Sequence, residues 1–289
     1  MQKLILVDGN SIMFRAYYAT AYPGAKLMQT SSGIYTNALF AFVGMFEKII
    51  TDDTTYALVA FDTKEPTKRH IAYEGYKAGR TKMPEELIQQ IKLINEYIDL
   101  YGIPQYSKAG YEADDIIGTL AKRASDQGYK VEVFSSDKDL LQLVDENITV
   151  NLLKKGMKEV HHFNPKTLYD TYELTHEQMI DLKALMGDPS DNIPGVPGVG
   201  EKTAIKLLKQ YQTVENLFAH KDEIKGKLGE NLREFEHLAM MSKELVTIEI
   251  DAEIDSANTL LESESRQRRV EAILPKLTLP KFRCDSLKW

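Results

Sequence analysis

Cysteine is nearly absent from this chain. The single copy, Cys284, excludes an internal disulfide and any Cys-based metal site, and it suits a reducing compartment such as the cytoplasm. Long hydrophobic runs are missing too, since no apolar stretch approaches the roughly 18 residues of a membrane helix, and no membrane partner is expected. The opening KLILVDG is too short and too soon acidic for a signal peptide. No period of about 20 to 50 residues and no low-complexity tract is visible, which argues against a repeat architecture. An excess of positive charge is also lacking. The formal net charge of -7 argues, at face value, against a nucleic-acid partner. That inference depends on where the acids lie: if nine of them cluster and are neutralised by metal, 34 acidic residues remain against 36 basic ones.

The 289 residues, 43% hydrophobic and 27% charged, fit one large domain or a main body with an appendage. Three apolar runs, Lys3 to Asp8, Thr55 to Asp62 and Lys130 to Asp137, each end on an aspartate, as buried parallel strands do when they deliver chemistry at their carboxyl edge. Helical patterns lie between them, over Gly33 to Ile50, Pro84 to Tyr101 and Glu112 to Gln127. The alternation predicts an α/β body with a central, mostly parallel sheet flanked by helices, over residues 1–164. From 165 to 289 the chain reads as a helical subdomain with a long helix from Glu230 to about Val246.

The carboxylates carry the chemistry. The strand ends supply Asp8, Asp62 and Asp137, and "DKD" adds Asp139; "YEADD" places Glu112, Asp114 and Asp115 at a helix start, and Asp188 and Asp191 are three apart, on one face if that segment is helical. Taken singly, the "YEADD" acids could be helix-terminus electrostatics and Asp188 and Asp191 a helix end and turn cap. Taken together, strand-end aspartates converge, like carboxylates repel, and such convergence calls for cations. Hard oxygen ligands point to Mg²⁺ or Mn²⁺, and more carboxylates than one ion can use point to two ions. The implied reaction is metal-assisted hydrolysis of a phosphate ester.

Beside the last two acids stands "GDPSDNIPGVPGVGEKTAIKLL", Gly187 to Leu208. Gly195 to Gly200 has the gap of a nucleotide-binding P-loop, but Glu201 intervenes before the Lys-Thr pair and no strand precedes it. A helix-hairpin-helix fits better: Gly195, Gly198 and Gly200 let a turn approach a phosphate, helix-start N–H groups donate to it, and Lys202 adds charge. Such contacts hold duplex backbone without reading sequence. The plainer alternative is a glycine-rich turn joining two helices. Residues 64–82 carry six Lys or Arg, and "YKAGR" there would steer a single strand, Tyr76 stacking on a base and Lys77 and Arg80 meeting phosphates, unless the segment is only a solvated basic loop.

Through "LVDGNS", "AFD", "YKAGR", "GYEADD", "DKDLLQL" and "GDPSDNIPGVPGVGEKTA" the chain resembles the bacterial 5′ nuclease and flap endonuclease family, which includes the 5′-3′ exonuclease domain of DNA polymerase I and its stand-alone relatives. The resemblance implies a PIN-like body, a helical arch over about 63–100 and a helix-three-turn-helix in the hairpin at 187–208. It carries metal binding onto Asp8, Asp62, Glu112, Asp114, Asp115, Asp137, Asp139, Asp188 and Asp191. It places Lys77 and Arg80 near the scissile phosphate and Lys202 on the duplex, with a K⁺ ion on the hairpin's carbonyls. The implied partner is DNA with a 5′ flap or a 5′ end at a single-strand/double-strand junction, met in replication and repair. The protein would be a monomer, fused to or acting with a DNA polymerase. A haloacid-dehalogenase-type phosphatase would need an Asp where Asn10 stands. A non-catalytic duplex-binding scaffold and an RNA-directed nuclease of related fold are the alternatives.

Overall fold

The computed structural model describes residues 2–50, 54, 56–154 and 159–254, together with the backbone of 261–262. Cys284, Thr55 and, apart from 261–262, the expected helical subdomain beyond 254 lie outside the described residues.

In chain order the elements are β1 (Lys3–Asp8), α1 (Gly9–Thr20), α2 (Asn37–Ile49), β2 (Tyr56–Ala60), α3 (Lys68–Ala72), α4 (Glu85–Tyr101), β3 (Gln105–Tyr106), α5 (Ala113–Asp126) and β4 (Lys130–Ser135). A 3₁₀ turn at Asp139–Leu143 leads to β5 (Ile148–Lys154), β6 (Glu159–Phe163), α6 (Pro165–Tyr172), α7 (His176–Met186), α8 (Glu201–Tyr211), α9 (Val214–Ala219), α10 (Gly226–Val246) and β7 (Leu261–Glu262). The sheet runs β3-β2-β1-β4-β5-β6. It is parallel from β3 to β5, and β6 and β7 join it antiparallel.

Alternation along each strand divides the core. Leu4 and Leu6 of β1, Leu58 of β2 and Val131 and Val133 of β4 face α5 and the helices after residue 165. Ile5 and Val7, with Ala57 and Val59, face α1, α2 and α4. Both faces of the sheet are therefore covered, which is what near-continuous apolar strands require. The first cluster also takes in Leu182, Val196, Ala204, Phe218 and Leu232, so the helical part shares a core with the sheet and is held there by apolar burial.

Several elements differ from the sequence reading. Helix α2 starts at Asn37 rather than Gly33, after a turn closed by the Gln29–Tyr35 bridge. The long helix starts at Gly226, four residues before Glu230, and is kinked at Phe235. Helix α1 and strands β3, β5, β6 and β7 were not anticipated. The expected arch segment divides in two. α4 belongs to the body, with Leu87, Ile94 and Ile98 fully buried, whereas 63–84 holds one short helix, α3, and turns that lie on the carboxylates.

Candidate active site

Strand order reverses between β1 and β4, and in such sheets ligands bind in the crevice at the carboxyl ends of the strands on either side. Asp8 closes β1, Asp62 follows β2 by two residues, and Asp137 follows β4 by two. Asp114 arrives from the first turn of α5, which lies across the same edge. A cleft of about 1460 Å³ opens there, lined by Asp8, Asp62, Glu112, Asp114, Asp137 and Asp188 and rimmed by Lys77, Arg80 and Lys183.

Electrostatics shows how close the acids come. Burial pushes Asp8 up to about 7, the charges of Asp62 and Asp137 adding to it and hydrogen bonds from Ser135 Oγ and Ser11 N opposing it. Burial likewise raises Asp139 to about 7, aided by Asp137 and Asp188 and opposed by Lys183. Asp114 is raised well above the carboxylate range by burial, then by Asp137, Asp8, Asp62 and Asp139. Five aspartates thus face one another from four elements. Among the described residues no three of them already form a coordination shell. They accept other donors instead, as with Asp62 from Ala113 N at 2.8 Å and Asp137 from Asp139 N at 2.9 Å. An oxygen-only set in which burial and like charge hold Asp8, Asp114 and Asp139 above the ordinary carboxylate range fits a hard divalent cation, whose charge removes the repulsion.

The raised values fix the sign of a stability effect. A carboxyl whose folded pKa exceeds its unfolded value binds more protons when folded, so its contribution to stability falls as pH rises, by about 1.4 kcal/mol for each pH unit that separates the two values. With Asp8 and Asp139 at about 7, metal-free protein is expected to lose melting temperature between about pH 4 and pH 7. Mg²⁺ should restore it most above pH 7. A metal-free melting curve that is flat over this window, with no effect of Mg²⁺, would contradict the clustering.

The remaining predicted acids are placed differently. Glu112 is the N-cap of α5; its Oε1 accepts from Lys77 Nζ at 2.7 Å and its Oε2 from the Tyr76 hydroxyl at 3.0 Å. Asp115 is buried and turned away: Arg69 donates to both its oxygens at 2.8 Å, and the N–H groups of Glu112 and Glu249 donate as well. Burial would raise its pKa, but these donors hold it below the usual range. Asp188 and Asp191 do not lie on a helix face. They sit in a turn closed by the Asp188–Ile193 bridge, with Asp188 accepting from Ser190 and Lys183 and Asp191 from Arg80 Nε at 3.1 Å.

The basic segment docks onto that turn. Lys77 N donates to Asp191 O at 2.8 Å and Asn192 Nδ2 to Gly75 O at 2.8 Å; Lys77 and Asn192 both take left-handed backbone, with φ of 56° and 55°. Tyr76 is not placed to stack on a base in this structure. Only 5% of it is exposed, its hydroxyl is bonded to Glu112, and His70 packs edge-on against its ring.

In the hairpin, Gly195 has a structural reason. A Cβ there would lie 2.3 to 2.5 Å from Met186 and Gly187 backbone atoms, so it permits two chain segments to touch rather than a phosphate to approach. Gly198 turns the chain at φ 79°, and Gly200, the N-cap of α8, faces open space. Lys202 is exposed in the first turn of α8. Asn231 of α10 braces the loop by donating to Pro197 O at 2.7 Å, and Ser242 donates to Pro194 O. Three cations went unpredicted: Arg69, Lys183 and Arg15, the last lining the cleft from α1 with Nε on Ser136 Oγ. Lys183 and Arg15 are isolated basic residues on helices and Arg69 is one of six in the basic run, and in neither setting does local pattern name the tertiary partner.

An acidic crevice at the carboxyl edge of a parallel sheet, joined to a braced helical hairpin, defines an α/β protein that collects carboxylates at its sheet edge. The chain belongs to the 5′-3′ exonuclease family: the model of its N-terminal, resolvase-like domain matches residues 3–173, and that of its C-terminal SAM fold matches 174–269. Curated relatives include DNA polymerase I of Bacillus caldotenax, 45% identical over 284 residues covering 97% of this chain and 32% of the relative. DNA polymerase I of Bacillus subtilis is 49% identical over 269 residues, covering 92% of this chain and 30% of the relative. The chain spans about a third of the length of these relatives. Solved structures share the fold. T5 5′-exonuclease with bound zinc superposes with a TM-score of 0.67 at 22% identity, over 86% of this chain and 90% of that one. The catalytic core of Rad2 with a DNA substrate gives 0.57 at 15%, over 95% and 92%.

Proposed function

We propose that this chain is a structure-specific 5′ nuclease that hydrolyses DNA phosphodiesters at a 5′ flap or 5′ end beside a duplex, using two Mg²⁺ or Mn²⁺ ions. The body over 1–164 holds the chemistry and the helical part from 165 grips the duplex. The observation that carries this reading is the cleft itself, where repelling aspartates meet Lys77 and Arg80 at one rim. Asp8, Asp62, Asp114, Asp137 and Asp139, with Glu112 and Asp188 at the border, would hold the ions. Bound there, they would activate a water and offset charge on the leaving oxygen. Asp115 and Asp191 act through the arginines they pair with, Arg69 and Arg80.

Lys77 and Arg80 orient the scissile phosphate, and Gly200 and Lys202 hold a duplex phosphate away from the cut. A K⁺ ion on the hairpin would have to share carbonyls, since those of Pro194 and Pro197 already accept from Ser242 and Asn231. Sequence likeness to DNA polymerase I supports a role beside or within a polymerase, in the cytoplasm. No helix among the described residues is long and apolar enough to cross a membrane. The test is product analysis on a 5′-labelled flap duplex, with a single strand and a blunt duplex alongside. Cleavage at the junction yielding 5′-phosphate ends, lost in excess chelator, is expected; undiminished cleavage in chelator would sink the proposal.

A further inference from the structure

Lys183 takes no part in the proposed hydrolysis, yet it occupies a singular place. It projects from α7 into the cleft, and its ammonium lies 2.7 Å from Asp139 Oδ1 and 2.5 Å from Asp188 Oδ2. Asp139 opens the 3₁₀ turn behind β4, whereas Asp188 belongs to the turn after α7. One ammonium therefore joins an acid of the sheet edge to an acid beside the hairpin. Its side chain is 22% exposed, so solvent screens the contacts only in part. Among the described residues, none of Asp8, Asp62, Asp114 and Asp137 forms an ion pair with a lysine or arginine. The acidic cleft is thus uneven, four aspartates uncompensated on one side and two compensated by Lys183 on the other.

A divalent ion ligated by Asp139 or Asp188 must compete with this ammonium for Asp139 Oδ1 and Asp188 Oδ2, or take the other oxygen of either carboxylate with the positive charge a few ångströms away. A divalent ion among the other four meets neither obstacle. We propose that Lys183 is a built-in competitor of the second divalent ion: it keeps the Asp139–Asp188 position weak while leaving the position around Asp8, Asp62, Asp114 and Asp137 strong. This rests on the metal-dependent function proposed above and adds to it an order of occupancy. A phosphodiester entering the cleft brings negative charge that can draw the ammonium off the two aspartates, which links uptake of the second ion to the presence of substrate. Lys183 is a positioning residue here, acting through the two acids it touches.

The test needs no turnover. Mn²⁺ binding to the full chain, without nucleic acid, is followed by the paramagnetic resonance of the free ion. The wild type should bind one ion tightly and a second more weakly. Lys183→Met keeps the aliphatic stem and removes the charge, and Lys183→Gln does so with a donor retained. Both should tighten the second ion by about tenfold or more, the effect one neighbouring charge has on a carboxylate, and leave the first unchanged. Lys183→Arg should restore the weak second site. A second-ion affinity that is unchanged or weaker in both neutral variants, with the first ion still bound, overturns this inference alone. Absence of any Mn²⁺ binding in the wild type overturns the metal-dependent function and this inference with it. A purely structural Lys183 would lower melting temperature without tightening either ion.

Discussion

Asp114→Asn is expected to lower metal-dependent cleavage of a flap duplex by orders of magnitude while the metal-free protein melts at the same temperature or higher. The two effects have one cause. Asp114 lies among Asp137, Asp8, Asp62 and Asp139, and burial and those charges hold its carboxyl well above the usual range. The isosteric amide removes one charge from a cluster that repels itself, which favours the fold, and removes one hard oxygen ligand, which harms metal binding. DNA affinity without divalent ion should hold or tighten, because the cleft becomes less negative toward a polyanion. Asp115→Asn, one residue on, is the internal control: it breaks a buried, two-pronged pair with Arg69 and should cost about 3 to 5 kcal/mol of stability. Retention of activity by Asp114→Asn, or a fall in its melting temperature like that of Asp115→Asn, would remove it from the site.

Lys77→Ala is expected to slow single-turnover cleavage by about 10²- to 10³-fold, the usual effect of removing one donor aimed at developing charge. Affinity for the flap duplex should change little. Lys77 lies at the cleft rim with Nζ on Glu112 Oε1, and its backbone N–H is fixed by Asp191 O, so its ammonium is presented at the acids. Lysine and alanine both carry a Cβ and meet the left-handed φ of 56° alike, so the substitution adds little backbone strain of its own. Rate at saturating DNA is the deciding measurement. If it holds and only affinity falls, residues 73–80 tether the strand and Lys77 takes no part in the chemistry.

The parts of this site that sequence made legible share one property: their meaning is local. An apolar run ending on aspartate marks a buried strand and its edge, hence Asp8, Asp62 and Asp137. Helix α5 is found within a residue of its expected start because Glu112 caps it and Gly128 closes it. Helix α8 starts at Glu201, as the glycines before it indicate. Other features escaped because local pattern was silent or misleading. Spacing would put Asp188 and Asp191 on one face only if that segment were helical, and it is not: Gly187 has a φ of 72° and the chain turns back through the Asp188–Ile193 bridge. Gly195 reads as room for a phosphate and is in fact room for Met186 and Gly187 backbone. The basic run at 64–82 could be read as a solvated loop, yet Arg69 pins it through Asp115 and the carbonyls of Leu245 and Thr247.

Sequence by itself determined the α/β body, the acids available to it, the hairpin and the family, since strand period, helix caps and motif spacing are properties of neighbouring residues. Tertiary structure alone decided which acids crowd against one another and which are matched by a cation. Asp114 and Asp115 are adjacent in the chain, yet one faces four aspartates and the other an arginine 46 positions away. Lys183 likewise becomes significant only when the fold carries Asp139, 44 positions earlier, to its ammonium. Coulomb interactions depend on distance in space and on the solvent excluded between charges, and neither can be read along the chain.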